Sequence, residues 1–594
     1  MKTLRNIIIV LFTGLFCTVS CEDFLKEHPK GKITSEQAFS SISDIEGSVN
    51  VLYKQVGRSM FGISQFIFSQ MGDDLTTHIA SNKAMIRQWD RFRIDTNNDR
   101  LQLCWEDKYV VIKAANYIIN GVEKTLDLGA KQADVDYALG QAYFWRAWAY
   151  FYLVRAFGPL PKITDLNLDF NVGLTNVKEI YDLVVSDLLE AEKRLLPAYT
   201  GVPKEMNGVT VVASKAAVQA TLSYVYLTMA GWPLDNGTEY YKLAAAEAKK
   251  VIDGVTDGTY KYKLYDEYWK IHSRAENWKN EESILSAYFS RAWSGGDGSE
   301  AARGCINDIP DCVPGAWSDT HAEIGFYSKF PLGPRKDATY AQWTALGAAK
   351  DKVVRWWSPD VPEETRVPFF AKSAFITDRD KSNLREYNHK LPFNHADNCG
   401  GEGWGEQCHQ VVRLAEVYLF YAEAVGRSNE TNPLAIELLN RVRNRADGFG
   451  PVADRSTVGI PTKPHVEIYQ NYYPSTMSPK DLADAAYDEH GWEIAGWYWG
   501  ALAPRANDMH RMDRIKEHFE ERKQTSKKYT FVFTGLNYDG DATETFTVEA
   551  SEKFGTFDGD EWKQSKMFAP YPEVEVNRNP KLGFPVEDKL NMIK

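Results

Sequence analysis

The sequence predicts a mostly α fold: helix hairpins forming a scaffold, with a large loop-rich insertion and minor β-hairpins. Three observations predict it. Long stretches of the chain repeat apolar side chains at helical spacing between short polar breaks. One stretch, about 260–410, loses that period and fills with Gly, Pro, Asp and Trp. Near the C-terminus, a run alternates aromatic and polar residues on either side of Asp539-Gly540, which is hairpin chemistry.

In chain order, residues 1–20 read as a removable signal peptide: Lys2 and Arg5, apolar Ile7–Phe16, then small residues. Ile7–Val19 is too short to span a bilayer as a helix, which takes about 20 apolar residues. Thr18-Val19-Ser20-Cys21 resembles a bacterial lipobox, with Thr18 where leucine is commonest. Cleavage before Cys21 would leave that cysteine to be acylated, and several acyl chains on one residue anchor a protein stably. Residues 21–35 then form a lipidated tether, and 36–594 a single domain. The net charge is −12, and loss of Lys2 and Arg5 would make the mature chain more acidic still. With no basic stripe to offset that charge, nucleic acid is excluded as a partner.

The scaffold region, about 135–254, begins with LGQAYFWRAWAYFYLVRAFGPLP (139–161), a helix that Gly158-Pro159 should end. NVKEIYDLVVSDLLEAEKRLLP (176–197) is its partner. VVASKAAVQATLSYVYLTMAG (211–231) pairs with YYKLAAAEAKKVIDG (240–254), where Ala244 and Ala248 allow close helix approach. A third pair, VVRLAEVYLFYAEAVGR (411–427) and NPLAIELLNRVRNRA (432–446), follows the insertion. Repeated pairs of this kind are TPR-like, each burying its face against its neighbours. Within the insertion, ESILSAYF (282–289) reads as a strand and KDKVVRWW (350–357) as a further one. KYTFVFTGLNYDGDATETFTVEA (528–550) reads as a β-hairpin.

Of seven cysteines, Cys17 leaves with the signal and Cys104 is alone. Cys305/Cys312 and Cys399/Cys408 are close pairs in loop sequence, which outside the cytoplasm read as disulfides. The rival reading, a metal site with His389, His395 and His409, matches no zinc spacing. No metal and no cofactor are expected.

Several stretches together resemble the SusD/RagB family, the cell-surface nutrient-binding lipoproteins of Bacteroidetes. They are Cys21-Glu22-Asp23-Phe24-Leu25 with Pro29 and Thr34–Phe39; Trp105, Tyr109, Ile112 and Asn116; and Arg413-Leu414-Ala415-Glu416 through Tyr421-Ala422-Glu423-Ala424. The last is Pro570-Tyr571-Pro572 with Glu575, Asn579-Pro580 and Leu582. The stretch EHGWEIAGWYW (489–499), read as a helix, departs from the family's charged pattern while keeping Glu489 and Glu493. The resemblance implies an outward-facing outer-membrane protein. Such a protein captures oligosaccharide or polysaccharide and passes it to a SusC-like TonB-dependent transporter. The acids after Cys21 resemble the family's surface-export signal.

Sugars offer hydroxyls at the ring edge and apolar C–H faces, so exposed indoles with a few polar partners suit them. Trp145, Trp148, Trp105, Trp492 and Trp497 sit in apolar runs and are assigned to the core. The resemblance places the site in the early loop and in the insertion after ESILSAYF. Trp89 in AMIRQWDRF occupies the first; Trp293 in FSRAWSGGDGSE and Trp317 in VPGAWSDTH occupy the second. These three are the expected stacking platform, with Trp343 and Trp356 as weaker candidates. Asp74 and Arg87 are expected to bond ring hydroxyls. The competing assignments are local loop packing for the tryptophans, a turn cap for Asp74 and a solvated charge for Arg87. The chain lacks H-E-x-x-H, G-x-S-x-G and P-loop motifs, so it reads as a binding protein and not an enzyme. A protein-binding scaffold, or less readily a glycoside hydrolase with two facing carboxylates, are the alternatives.

Overall fold

The computed structural model describes residues 39–60, 68–77, 84–166, 171–206, 208–272, 281–288, 321–331, 333–339, 343–346, 352–355, 409–448, 469–496, 501–525, 529–536, 542–550, 562–583 and 585–594. The helices are α1 (Ser43–Met60), α2 (Ala84–Asp90), α3 (Asp99–Ile119), α4 (Gln132–Phe157), α5 (Val177–Arg194), α6 (Lys215–Ala230) and α7 (Thr238–Thr256). After these come α8 (Ile324–Lys329), α9 (Pro334–Thr339), α10 (Leu414–Arg427), α11 (Pro433–Ala446), α12 (Pro479–Glu493), α13 (Arg505–Arg511), α14 (Ile515–Thr525) and α15 (Glu573–Arg578).

The helix pairs form where the periodicity puts them. Helix α3 packs on α4, α4 on α5, α6 on α7 and α10 on α11. Their ends carry the expected chemistry. Asn98, Asn176, Asn432 and Ser478 cap helix starts with their side chains. Gly158 ends α4 at φ 76°, a conformation that strains any other residue. Ala244 and Ala248 are fully buried, and α7 lies against both α6 and α10. The third pair therefore stacks directly on the second, and the intervening 150-residue stretch leaves and rejoins the array at one point. Gly426 of α10 marks a close crossing: a Cβ there would sit 2.6 Å from backbone atoms of Pro479 and Ala483 at the start of α12.

The rejoining point is a two-stranded antiparallel ladder of Ser283–Ala287 and His409–Arg413, which pairs Ser283 with Arg413. Both ends of the insertion are thus clamped to the frame. KVVR (352–355) is a strand as expected. It joins Trp343–Leu346 and the expected hairpin (Tyr529–Leu536 with Ala542–Ala550) in one four-stranded sheet, in which Phe533 opposes Phe546. EHGWEIAGWYW does not begin a helix: α12 starts ten residues earlier, behind the Ser478 cap, and ends at Glu493. Gly496, at φ 67°, turns the chain away. Trp105, Trp145 and Trp148 are core residues.

At the base of the ladder, α12, α11 and the insertion stem share a buried charge cluster. The Arg413 guanidinium donates to Glu282 at 3.0 Å and to Glu493 at 2.7 Å. Arg445 donates to Glu282 at 2.6 Å and also to Glu493. Arg335 of α9 bridges Glu489 at 2.8 Å and Glu493 at 3.1 Å. The family-like Arg413 thus ties the two ends of the insertion to α12.

Candidate functional site

The early loop and the insertion meet. Antiparallel pairing joins β1 (Leu75–Thr76) to β2 (His321–Ala322), with Leu75 opposite Ala322 and Thr76 opposite His321. The Glu323 amide extends the contact by donating to the Asp74 carbonyl at 3.0 Å. Beside this joint opens a cleft of about 110 Å³, walled by Asp73, Glu323, Phe326 and Lys329 on one side and by residues of α12, α13 and α14 on the other.

The cleft is built from paired charges and aromatic faces. Arg505 forms a two-point bridge to Asp73 at 2.7 and 3.0 Å, and its guanidinium lies 4.4 Å from the Tyr487 ring centroid. Gly491 makes room for it, since a Cβ there would sit 2.8 Å from an Arg505 nitrogen. Burial works to raise the Asp73 carboxyl, but Arg505 outweighs it and holds the group below the usual range. Lys329 bridges Glu521 at 2.8 and 3.0 Å, and Arg514 bridges Glu517 at 2.8 and 3.0 Å. Glu323 accepts the Phe326 amide at 3.0 Å, and burial pushes its carboxyl up. Burial, followed by the nearby Arg522, drives His518 well below its ordinary value, so its ring is neutral. Its Nε2 has no hydrogen-bond partner among the described residues. Trp492 is half-buried and lines the cleft, with its ring 6.4 Å from Phe330.

Several expected ligand residues lie elsewhere. Trp89 is fully buried and cannot stack on a ligand. The reason is its neighbour Asp90, which accepts from the Thr77 amide and hydroxyl at 3.0 and 2.8 Å and from Arg522 at 2.9 Å. Those bonds pin the short helix α2 under β1 and tuck the indole inside. Asp74 is also buried, at 4 % exposure, and serves the joint: its carboxylate accepts the Gly496 amide at 2.6 Å. Burial, reinforced by Asp73, raises its pKa to about 7. The acid of that pair facing the cleft is Asp73. Arg87 is half-buried on α2 and is not among the residues lining the cleft. Trp492, assigned to the core, instead lines the cleft. Trp343 lies in a strand of the four-stranded sheet. Trp293, Trp317, Trp356, Trp497, Cys21, Cys305, Cys312, Cys399 and Cys408 lie outside the described residues, as do the signal and tether. Cys104 is buried, with its thiol 3.5 Å from the Tyr152 hydroxyl.

Sequence reading missed Asp73, Trp492, Arg505 and His518 as a set. Arg505 and Asp73 lie more than 400 residues apart, and no local period links them. The one available signal was the density of aromatic and charged residues after α12. Among the described residues no group of three or more His, Cys, Asp or Glu could hold a metal, and no helix is long and apolar enough to cross a membrane.

Stacked helix hairpins that clamp a long insertion, with a polar-aromatic cleft at the joint, define the class. Two family models match: one described as "starch-binding associating with outer membrane" over residues 23–227, and one described as "SusD family" over 364–583. The chain belongs to the SusD/RagB family. A SusD-like protein of Bacteroides ovatus is 24 % identical over 98 % of this chain and 97 % of its own length. SusD-like protein P2 of Formosa agariphila is 23 % identical over 75 % of this chain and 82 % of its own. A SusD homologue of Bacteroides thetaiotaomicron superposes with a TM-score of 0.66 at 18 % identity, covering 92 % and 97 % of the two chains. Another neighbour, crystallised with xylogluco-oligosaccharide, gives 0.61 at 20 % identity over 91 % and 98 %.

Proposed function

We propose that this protein is a cell-surface lipoprotein that captures oligosaccharide or polysaccharide by aromatic stacking and delivers it, without cleaving it, to a SusC-like TonB-dependent transporter. The observation that carries the reading is the β1–β2 pairing. It puts the early acidic loop beside the insertion that holds Trp293 and Trp317, in a chain of this family. The relative crystallised with xylogluco-oligosaccharide supports oligosaccharide as the ligand class. In this reading Trp293 and Trp317, with Trp492, supply the stacking faces. Trp343 and Trp356 are secondary faces. Asp73, Arg505 and His518 present bonding groups to ring hydroxyls. Cys21 carries the lipid on the outer membrane's exterior face, and Cys305–Cys312 and Cys399–Cys408 staple the insertion.

Affinity gels cast with a polysaccharide panel, run beside a reducing-end assay, test it. Retardation without released reducing ends is the expected result. Release of ends would make the protein a hydrolase. Failure of every glycan, together with co-purification of a barrel protein, would make it a scaffold.

A further inference from the structure

Every lysine and arginine among the cleft's described lining residues is already bridged to a carboxylate. Arg505 is held by Asp73, Arg514 by Glu517 and Lys329 by Glu521. Two further acids remain on the wall. Glu323 faces Arg522 at 3.9 Å, whereas Asp488 is exposed and among the described residues no cation of the cleft bridges it. The one other ionisable cleft group able to carry positive charge, His518, is neutral. The whole chain stands at −12.

An incoming carboxylate or sulfate would therefore find no unengaged cation among the cleft's described lining residues. It would have to break an existing bridge and would face surplus like charge, which is how sites reject wrong partners. Sugar hydroxyls meet no such obstacle, because they donate to carboxylate oxygens and need no counter-charge. We propose that this cleft selects neutral glycans and rejects acidic ones, with Asp488 setting the sign of its mouth. The inference rests on the glycan-binding reading above and specifies its substrate class.

The test sets neutral chains (xyloglucan, starch, galactomannan) against acidic ones (polygalacturonate, alginate) in affinity gels at low and high salt. The full-length mature protein is compared with Asp488→Lys. At least one neutral chain should retard the wild-type protein at both salts, and the acidic chains should not. Asp488→Lys should bind acidic chains about tenfold more tightly than wild type at low salt, with the gain screened away at high salt. Retardation of the wild type by acidic chains as strong as by neutral ones overturns the selectivity and leaves glycan binding standing. No gain in Asp488→Lys overturns the role of Asp488. Failure of every chain removes the glycan-binding reading itself, and this inference with it.

Discussion

Glu493 and Asp74 are both buried carboxylates near the end of α12, and Asp74 is bonded to the amide only three residues beyond Glu493. Their surroundings differ in one respect. Burial would raise both, but Arg445, Arg413 and Arg335 surround Glu493 and bring it down to about 2. Asp74 is pushed up to about 7, because Asp73 adds to the burial and Arg505 is spent on Asp73. The frame thus fixes its charges with matched cations, whereas the joint beside the cleft holds a proton near neutrality. The comparison separates a region built to stay shut from one whose ionic state can change.

The largest expected effect breaks the first side of that comparison. Arg413→Ala removes one of the two arginines shared by Glu282 and Glu493, and stranding buried carboxylates costs about 3–5 kcal/mol. Urea unfolding at neutral pH measures it; a loss below about 1 kcal/mol would mean Arg445 and Arg335 suffice alone. Trp89→Ala should cost a comparable amount, about 3–5 kcal/mol, because it empties a core position. If stability stays put and glycan affinity falls instead, the indole faces ligand after all and the placement of α2 is wrong.

A smaller effect separates the two carboxylates by pH. Asp74 rises from 3.8 to about 7 on folding, so its proton is favoured in the fold. Its contribution is fully present below about pH 4 and is lost as pH rises through 7. Glu493 is lowered, so its contribution is present above the usual glutamate value and is lost only as pH falls toward 2. Asp74→Asn imitates the protonated form. Stability should gain at pH 8 and change little at pH 4. His490, raised to about 9 against burial by Asp508, adds its own alkaline decline between about 6.5 and 9 in both proteins. The difference between the two pH curves therefore isolates Asp74. A parallel offset at all pH values would show that Asp74 folds already ionised.

The same contrast explains what the sequence disclosed. The frame is local: periodicity, Asn caps, Gly158 and the Ala244/Ala248 spacing each report on a few neighbouring residues, and the helix pairs form where they point. Of the candidate site, the sequence disclosed segments: the early loop and the insertion do meet. Individual roles were not disclosed. Trp89 sits among polar letters, and only Asp90's bonds to Thr77 and to Arg522, 432 residues away, bury it. Trp492 misled in the opposite direction. Its apolar neighbours Ile494 and Ala495 are buried, but α12 ends at Glu493 and leaves the indole at the cleft wall.

The smallest effects sharpen the cleft side. Trp492→Ala should weaken retention by the best neutral glycan by about 1 kcal/mol, the usual cost of truncating an aromatic contact, with Tm nearly unchanged. Trp293→Ala and Trp317→Ala should each cost at least about as much in affinity and equally little in stability. The three are most informative together. Similar losses would place one extended chain across the cleft wall and the insertion, because each ring would then meet its own sugar. A loss confined to Trp293 and Trp317 would move the ligand onto the insertion and leave the cleft as part of the joint, with Asp73 and Arg505 holding it closed. A drop in Tm for Trp492→Ala as large as that for Trp89→Ala would return Trp492 to the frame. Calorimetric titration of each variant, beside its thermal melt, distinguishes the three outcomes.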